Sequence, residues 1–122
     1  MKAAAYDLVE RTVKFGEIVI DLFLALETNP VVKPLISQFV RAATSISANS
    51  CEADAAAAPR DFRHKIAHCR KESRETMHWC RMLARACPAH ITPIRALWKE
   101  AEELNEILFS NIFRKINPAT TA

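Results

Sequence analysis

Between Leu35 and Cys51 the chain carries a single charge, Arg41, in a stretch whose apolar residues recur at helical spacing. At ~100° per residue, Gln38, Arg41, Ser45, Asn49 and Glu52 fall in one narrow stripe. Beside it run Leu35, Phe39, Ala42, Ala43, Ile46 and Ala53. A solvated helix face normally carries several charges, so the pattern predicts a helix covered on nearly all sides. The stripe is then expected to be buried and paired, because an unpaired buried polar group costs ~1–3 kcal/mol. Arg41 and Glu52 are too far apart for a direct local pair, so their partners are expected on other helices, with Glu72 or Glu75 joining the network. A buried guanidinium needs such a carboxylate. The competing interpretation is a catalytic site with Glu52 as base and Arg41 as anion clamp. It finds no nucleophile beside a base and no glycine-rich phosphate loop. No catalytic residue and no cofactor is therefore assigned, and the stripe is assigned to a network that fixes helix register.

Prolines divide the chain into four segments of helical pattern. Helix one is predicted from about Ala4 to Glu27, stopping at Thr28-Asn29-Pro30. Helix two begins near Val32, with Pro34 in its first turn where no backbone donor is needed, and runs to about Ala57. Pro59 opens helix three, which ends at Cys87-Pro88. Helix four begins around Ile91–Pro93 and runs to Ile116, before Asn117-Pro118 and a frayed tail. Connections this short make sequential helices antiparallel neighbours. The expected fold is all-α, an antiparallel up-down-up-down four-helix bundle forming one domain over residues 1–122.

Helix one is apolar over an unusually wide arc. Leu8, Thr12, Phe15, Val19, Leu22, Phe23 and Leu26 are expected in the core, and Val9, Val13, Ile18 and Ile20 widen the face. A bundle core needs a narrower stripe. The surplus, with the charge-poor helix two, predicts a second buried surface between subunits, hence a homo-oligomer. Helix four shows a narrower seam of Ile94, Leu97, Ala101, Leu104 and Leu108, with Glu100, Glu102, Glu103 and Glu106 outside it.

Composition agrees with packed helices. Of 122 residues only one is glycine, Gly16, and 50% are hydrophobic. Cys51, Cys69, Cys80 and Cys87 lie inside or at the ends of predicted helices, which suits reduced thiols in the cytosol better than a disulfide scaffold. The N-terminal residues MKAAAYDLVE place acidic side chains where a signal peptide needs an apolar core. The strongest apolar run, Ile18–Leu26, is broken by Asp21 and falls far short of the ~20 residues of a membrane span. A cytoplasmic protein with no membrane partner is expected.

Charge changes the picture more than composition does. The chain is only mildly basic, at +3. Yet the segment Pro59–Cys87 holds eight Lys and Arg against three acids, a net charge of +5, and leaves the rest at −2. Arg60, Arg63, Arg70, Lys71, Arg74, Arg81 and Arg85, with His78, fall within an arc of ~100°, and Lys65 alone lies elsewhere. The opposite face is Phe62, Ile66, Cys69, Ser73, Met77 and Cys80. The basic residues thus form one stripe along a helix ~40 Å long. Solvated faces usually mix signs at i,i+4 spacing. A single-sign stripe can instead track a phosphate backbone, each contact releasing counterions, so RNA or DNA is the leading partner. The rival is assembly, with the acidic face of helix four meeting the stripe of a neighbouring subunit.

Metal chemistry is poorly served. His64 and His68 stand at i,i+4, but His68-Cys69 and His78-x-Cys80 are three turns apart, too far for one ion. No metal ligand is assigned.

The string in helix two resembles a known family, the four-helix-bundle proteins first noted as reading frames inside intervening sequences of bacterial large-subunit ribosomal RNA genes. The residues that carry the resemblance are Asp7-Leu8, Gln38, Arg41-Ala42-Ala43, Ser45-Ile46, Asn49, Glu52, Asp61-Phe62, Ser73 and Glu75. Where that family usually has glycine after the glutamate, this chain has Ala53-Asp54, which favours a longer helix two. The resemblance implies a homo-oligomer, a pentameric ring in known members, with no established enzyme activity. Accessory proteins of diversity-generating retroelements are similar at the level of fold and size. They bind nucleic acid and a reverse transcriptase, so the resemblance adds a protein partner of that kind.

Overall fold

The computed structural model describes the backbone of residues 2–116, and side chains at 8–108 and 110. The chain forms α1 (Lys2–Ala25), α2 (Val32–Ala55), α3 (Pro59–Ala86) and α4 (Ile91–Ile116), with a 3₁₀ turn at Pro88–His90 before α4. There is no strand among the described residues. The stop expected at Asn117-Pro118, the tail after it and the side chain of Asp7 lie outside them.

The boundaries follow from local chemistry. After α1 the Asn29 side chain accepts hydrogen bonds from the backbone N–H groups of Val31 and Val32, both at 2.9 Å, and satisfies donors that the first turn of α2 leaves open. Ala58 is extended (φ −98°, ψ 140°) and Pro59 opens α3, where a missing N–H costs nothing. The Cys87 N–H closes that helix on the Leu83 carbonyl at 2.7 Å, and Pro88 prevents its continuation. α2 runs through Ala53, which is buried, and ends at Ala55. Alanine at this position keeps the helix going where a glycine would favour a turn.

Each helix packs on the next in the chain. Among the described residues the α2–α3 face is the most extensive, α3–α4 and α1–α2 follow, and of the helix pairs that touch α1–α4 is the smallest, an arrangement consistent with a bundle. The core is built from Phe15, Val19 and Leu22 of α1, Ile36, Phe39 and Ile46 of α2, Leu83 of α3, and Ile94, Leu97 and Leu104 of α4. A smaller apolar cluster of Ala53, Ile66, Cys69 and Leu108 lies beside it, with Phe62 and Leu8 packed against it.

All five seam residues of α4 are buried, as are Thr12, Phe15, Val19, Leu22 and Leu26 of α1. Phe23 is not in the core: it is 38% exposed, because it lies at the edge of the apolar arc. Ile20 and Leu24 are exposed with it, and Ile18 is exposed on the other flank. Gly16 faces Thr44 of α2, and a Cβ placed there would make an ordinary contact at 3.8 Å.

Candidate nucleic-acid interface

The basic stripe of α3 is set out by its own helix geometry. Burying Ile66, Cys69, Ser73, Thr76, Cys80 and Leu83 on one side forces the opposite side outward. Arg60, Lys71, Arg74, His78, Arg81 and Arg85 are exposed there, and Arg63 and Arg70 are half-buried. No salt bridge reaches Arg60, Arg63, Lys71, Arg74, Arg81 or Arg85 among the described residues. Midway along the stripe, Arg70, Lys71, Arg74, Glu75 and His78 border an open hollow of about 500 Å³. A row of solvated cations over a long rigid helix suits repeated anionic groups, since each keeps its full charge available.

The α2 stripe forms a connected network that is largely solvated. The Arg41 Nε donates to Gln38 Oε1 at 3.2 Å, Ser45 Oγ donates to the Arg41 carbonyl at 2.7 Å, and Asn49 Nδ2 donates to the Ser45 carbonyl at 2.9 Å. Across to α3, Arg41 reaches Glu75 Oε1 at 3.3 Å and Glu72 Oε1 at 3.6 Å. The expected burial is absent in the single chain: the Arg41 side chain is 49% exposed, Gln38 is exposed, and Ser45 and Asn49 are half-buried. The stripe reaches α3 on one side, and among the described residues Arg41 and Gln38 stay exposed on the other. Glu52 does not join it. Its side chain is 57% exposed and pairs with Lys65 at 2.5 Å. Lys65 is the basic residue outside the arc, and its helix phase turns it toward α2, where it meets Glu52.

Glu72 is the least solvated acid of this network, 13% exposed. Burial, then the charge and hydrogen bond of neighbouring Glu75, push its carboxyl above the ordinary range, against the pull of Arg41 and Lys71.

One contact was missed in the sequence. Arg11 of α1 donates from Nε and Nη2 to the two carboxylate oxygens of Glu100 on α4, each at 2.7 Å, and lies 3.8 Å from Glu103. The signal was present: at ~100° per residue, Arg11 sits in the apolar arc of α1 between Ile18 and Phe15. A charge in that position must reach for a carboxylate on a neighbour. The contact engages two of the four acids set out for an intersubunit role.

The thiols are placed by the same packing. Burial pushes Cys69 and Cys80 up to about 12, Cys87 is raised by partial burial, and Cys51 is exposed. The rings of His64 and His68 stand edge to face at 4.7 Å. No group of three or more His, Cys, Asp or Glu side chains that could share an ion occurs among the described residues. None of the described helices is long and apolar enough to cross a membrane.

A family model described as 23S rRNA-intervening sequence protein matches residues 6–110. Among solved structures, the chain is similar to a protein of unknown function from the S23 ribosomal protein family of Bacteroides thetaiotaomicron. The two are 26% identical, with a TM-score of 0.77, over 88% of this chain and 96% of that one. No curated protein sequence matches.

Proposed function

The chain belongs to the 23S rRNA-intervening sequence protein family, and we propose that it is a non-enzymatic, self-associating bundle that binds RNA or DNA through the basic stripe of α3. In this reading the four helices run up-down-up-down as one cytoplasmic domain. The observation that carries it is the row of exposed cations, Arg60, Lys71, Arg74, Arg81 and Arg85, none held by a salt bridge among the described residues. Association would repeat the stripe and raise avidity without any new contact. Five subunits, and a reverse transcriptase as a further partner, rest on the family resemblance alone.

The test is fluorescence anisotropy with labelled RNA and DNA duplexes from low to near-physiological salt. Each lost phosphate contact flattens the log–log salt slope by ~0.9. Joint reversal of Arg60→Glu and Arg74→Glu should therefore flatten it by about 2 and weaken binding more than tenfold. Reversing Lys14→Glu and Lys33→Glu makes the same change of charge elsewhere and should do much less. Wild type that binds neither nucleic acid at low salt rejects the proposal.

The second reading is a protein-interaction module whose surfaces serve assembly. Exposed Ile18, Ile20, Phe23 and Leu24 favour it, and it does not require the stripe to be idle. The acidic face of α4 is a weak partner for the stripe, however, since Arg11 already engages Glu100 and Glu103.

A further inference from the structure

At its C-terminal half the basic stripe turns a corner. Arg81 belongs to it, but also borders a separate hollow of about 530 Å³ between α3 and α4, within the ~300–1,000 Å³ of small-ligand sites. The floor of this hollow is apolar, made by buried Cys80 and Ile94 with half-buried Ala84. Trp98 lines one wall, half-buried and packed on the core, so its indole is held in place with part of its surface facing the hollow. Arg95 and Lys99, at i,i+4 on α4, complete the rim with Arg81. All three cations are exposed and none forms a salt bridge among the described residues.

A fixed aromatic wall, an apolar floor and three cations match a flat apolar ring joined to phosphates. We propose that this groove holds an unpaired nucleotide of a single strand, its base stacked on Trp98 and its flanking phosphates on Arg81, Arg95 and Lys99. The inference rests on the anionic-partner reading and adds the strand's form: the stripe supplies sequence-independent attraction, and the groove selects unpaired over paired segments. In a duplex the bases are already stacked on one another and do not reach a side wall without being flipped out. Base–aromatic stacking is tolerant of sequence, so preference should follow strandedness, not base identity.

Labelled unstructured single strands and duplexes of equal length decide the matter by anisotropy. Trp98→Leu keeps a smaller apolar side chain and removes the stacking face. It should weaken single-strand binding about tenfold and leave duplex binding within about twofold, while Trp98→Phe restores most of the loss. Arg95→Glu with Lys99→Glu should likewise weaken the single strand more than the duplex. In a Trp79→Phe background, the remaining Trp98 emission should be quenched by the single strand. Equal losses on both nucleic acids, or unchanged single-strand binding by Trp98→Leu, overturn the groove proposal and leave the stripe reading standing. Polyglutamate that quenches Trp98 as strongly as the oligonucleotide also overturns it, because simple charge would then suffice. A wild type that binds neither form at low salt rejects both readings together.

Discussion

Arg11 and Glu100 form a two-pronged ion pair, with both hydrogen bonds 2.7 Å long, across the α1–α4 seam where the helices otherwise touch least. The side chains are 37% and 30% exposed, so solvent screens much of their attraction. The forked geometry places the pair at the strong end of surface ion pairs. A double-mutant cycle of Arg11→Ala and Glu100→Ala should give a coupling energy of about 1 kcal/mol in urea unfolding, shrinking with added salt. A coupling near zero would mean that the seam is held by packing alone.

Glu72 gives the fold a pH dependence of known sign. Its carboxyl is raised by burial and by Glu75, so the native state holds that proton more tightly than the unfolded chain does. Stability from this group is full below the ordinary carboxylate value and is lost as pH rises through the raised native one. Glu72→Gln should match wild type near pH 4 and unfold no more easily than wild type at pH 7. Arg41→Ala, which removes a half-exposed partner, should cost about 1 kcal/mol, well below the ~3–5 of a broken buried pair. A large loss at neutral pH from Glu72→Gln would show that the Arg41 attraction outweighs the burial.

Thiol reactivity should separate into classes. Cys51 is exposed, while Cys69 and Cys80 are buried with thiols at about 12. The thiolate is the reacting species. A disulfide reagent at pH 8 should modify Cys51 quickly, Cys87 more slowly, and Cys69 and Cys80 only as the chain unfolds. Prompt release of four equivalents from folded protein would contradict the packing of α3.

Assembly is testable on α1. Ile20, Phe23 and Leu24 are 42%, 38% and 73% exposed and point away from the core. A second copy covering them predicts a mass in light scattering several times 13.7 kDa at micromolar concentration. Ile20→Glu with Leu24→Glu should reduce it toward a single chain, since charges at a buried contact are costly. A wild type that stays monomeric at all concentrations would refute this.

What could be read in advance was what short-range chemistry dictates. Pro59 and Cys87-Pro88 fixed the ends of α3 because a ring without an N–H has few places to sit, and the seam from Ile94 to Leu108 was legible because one helix wall covers it. Arg41 links the α2 stripe to Glu72 and Glu75, but Arg41 and Gln38 are exposed and Glu52 pairs with Lys65 instead. A low density of charge shows that a face is not strongly solvated, yet does not say whether its cover lies in the same chain. Phe23 failed for the same reason. Arg11–Glu100 and the Trp98 groove were not foreseen because each depends on how two helices are turned toward each other, which a single-helix projection does not contain.

The sparse α1–α4 seam has a consequence for how the molecule comes apart. α1 is held chiefly through α2, whereas α2, α3 and α4 grip one another through the two broadest faces. Hydrogen exchange should therefore find α1 opening at lower cost than α2, α3 and α4. That excursion bares Phe15, Val19 and Leu22 together with the groove they fill. An α1 released from another molecule offers the same side chains in the same order, so the seam is the natural place for two chains to exchange helices.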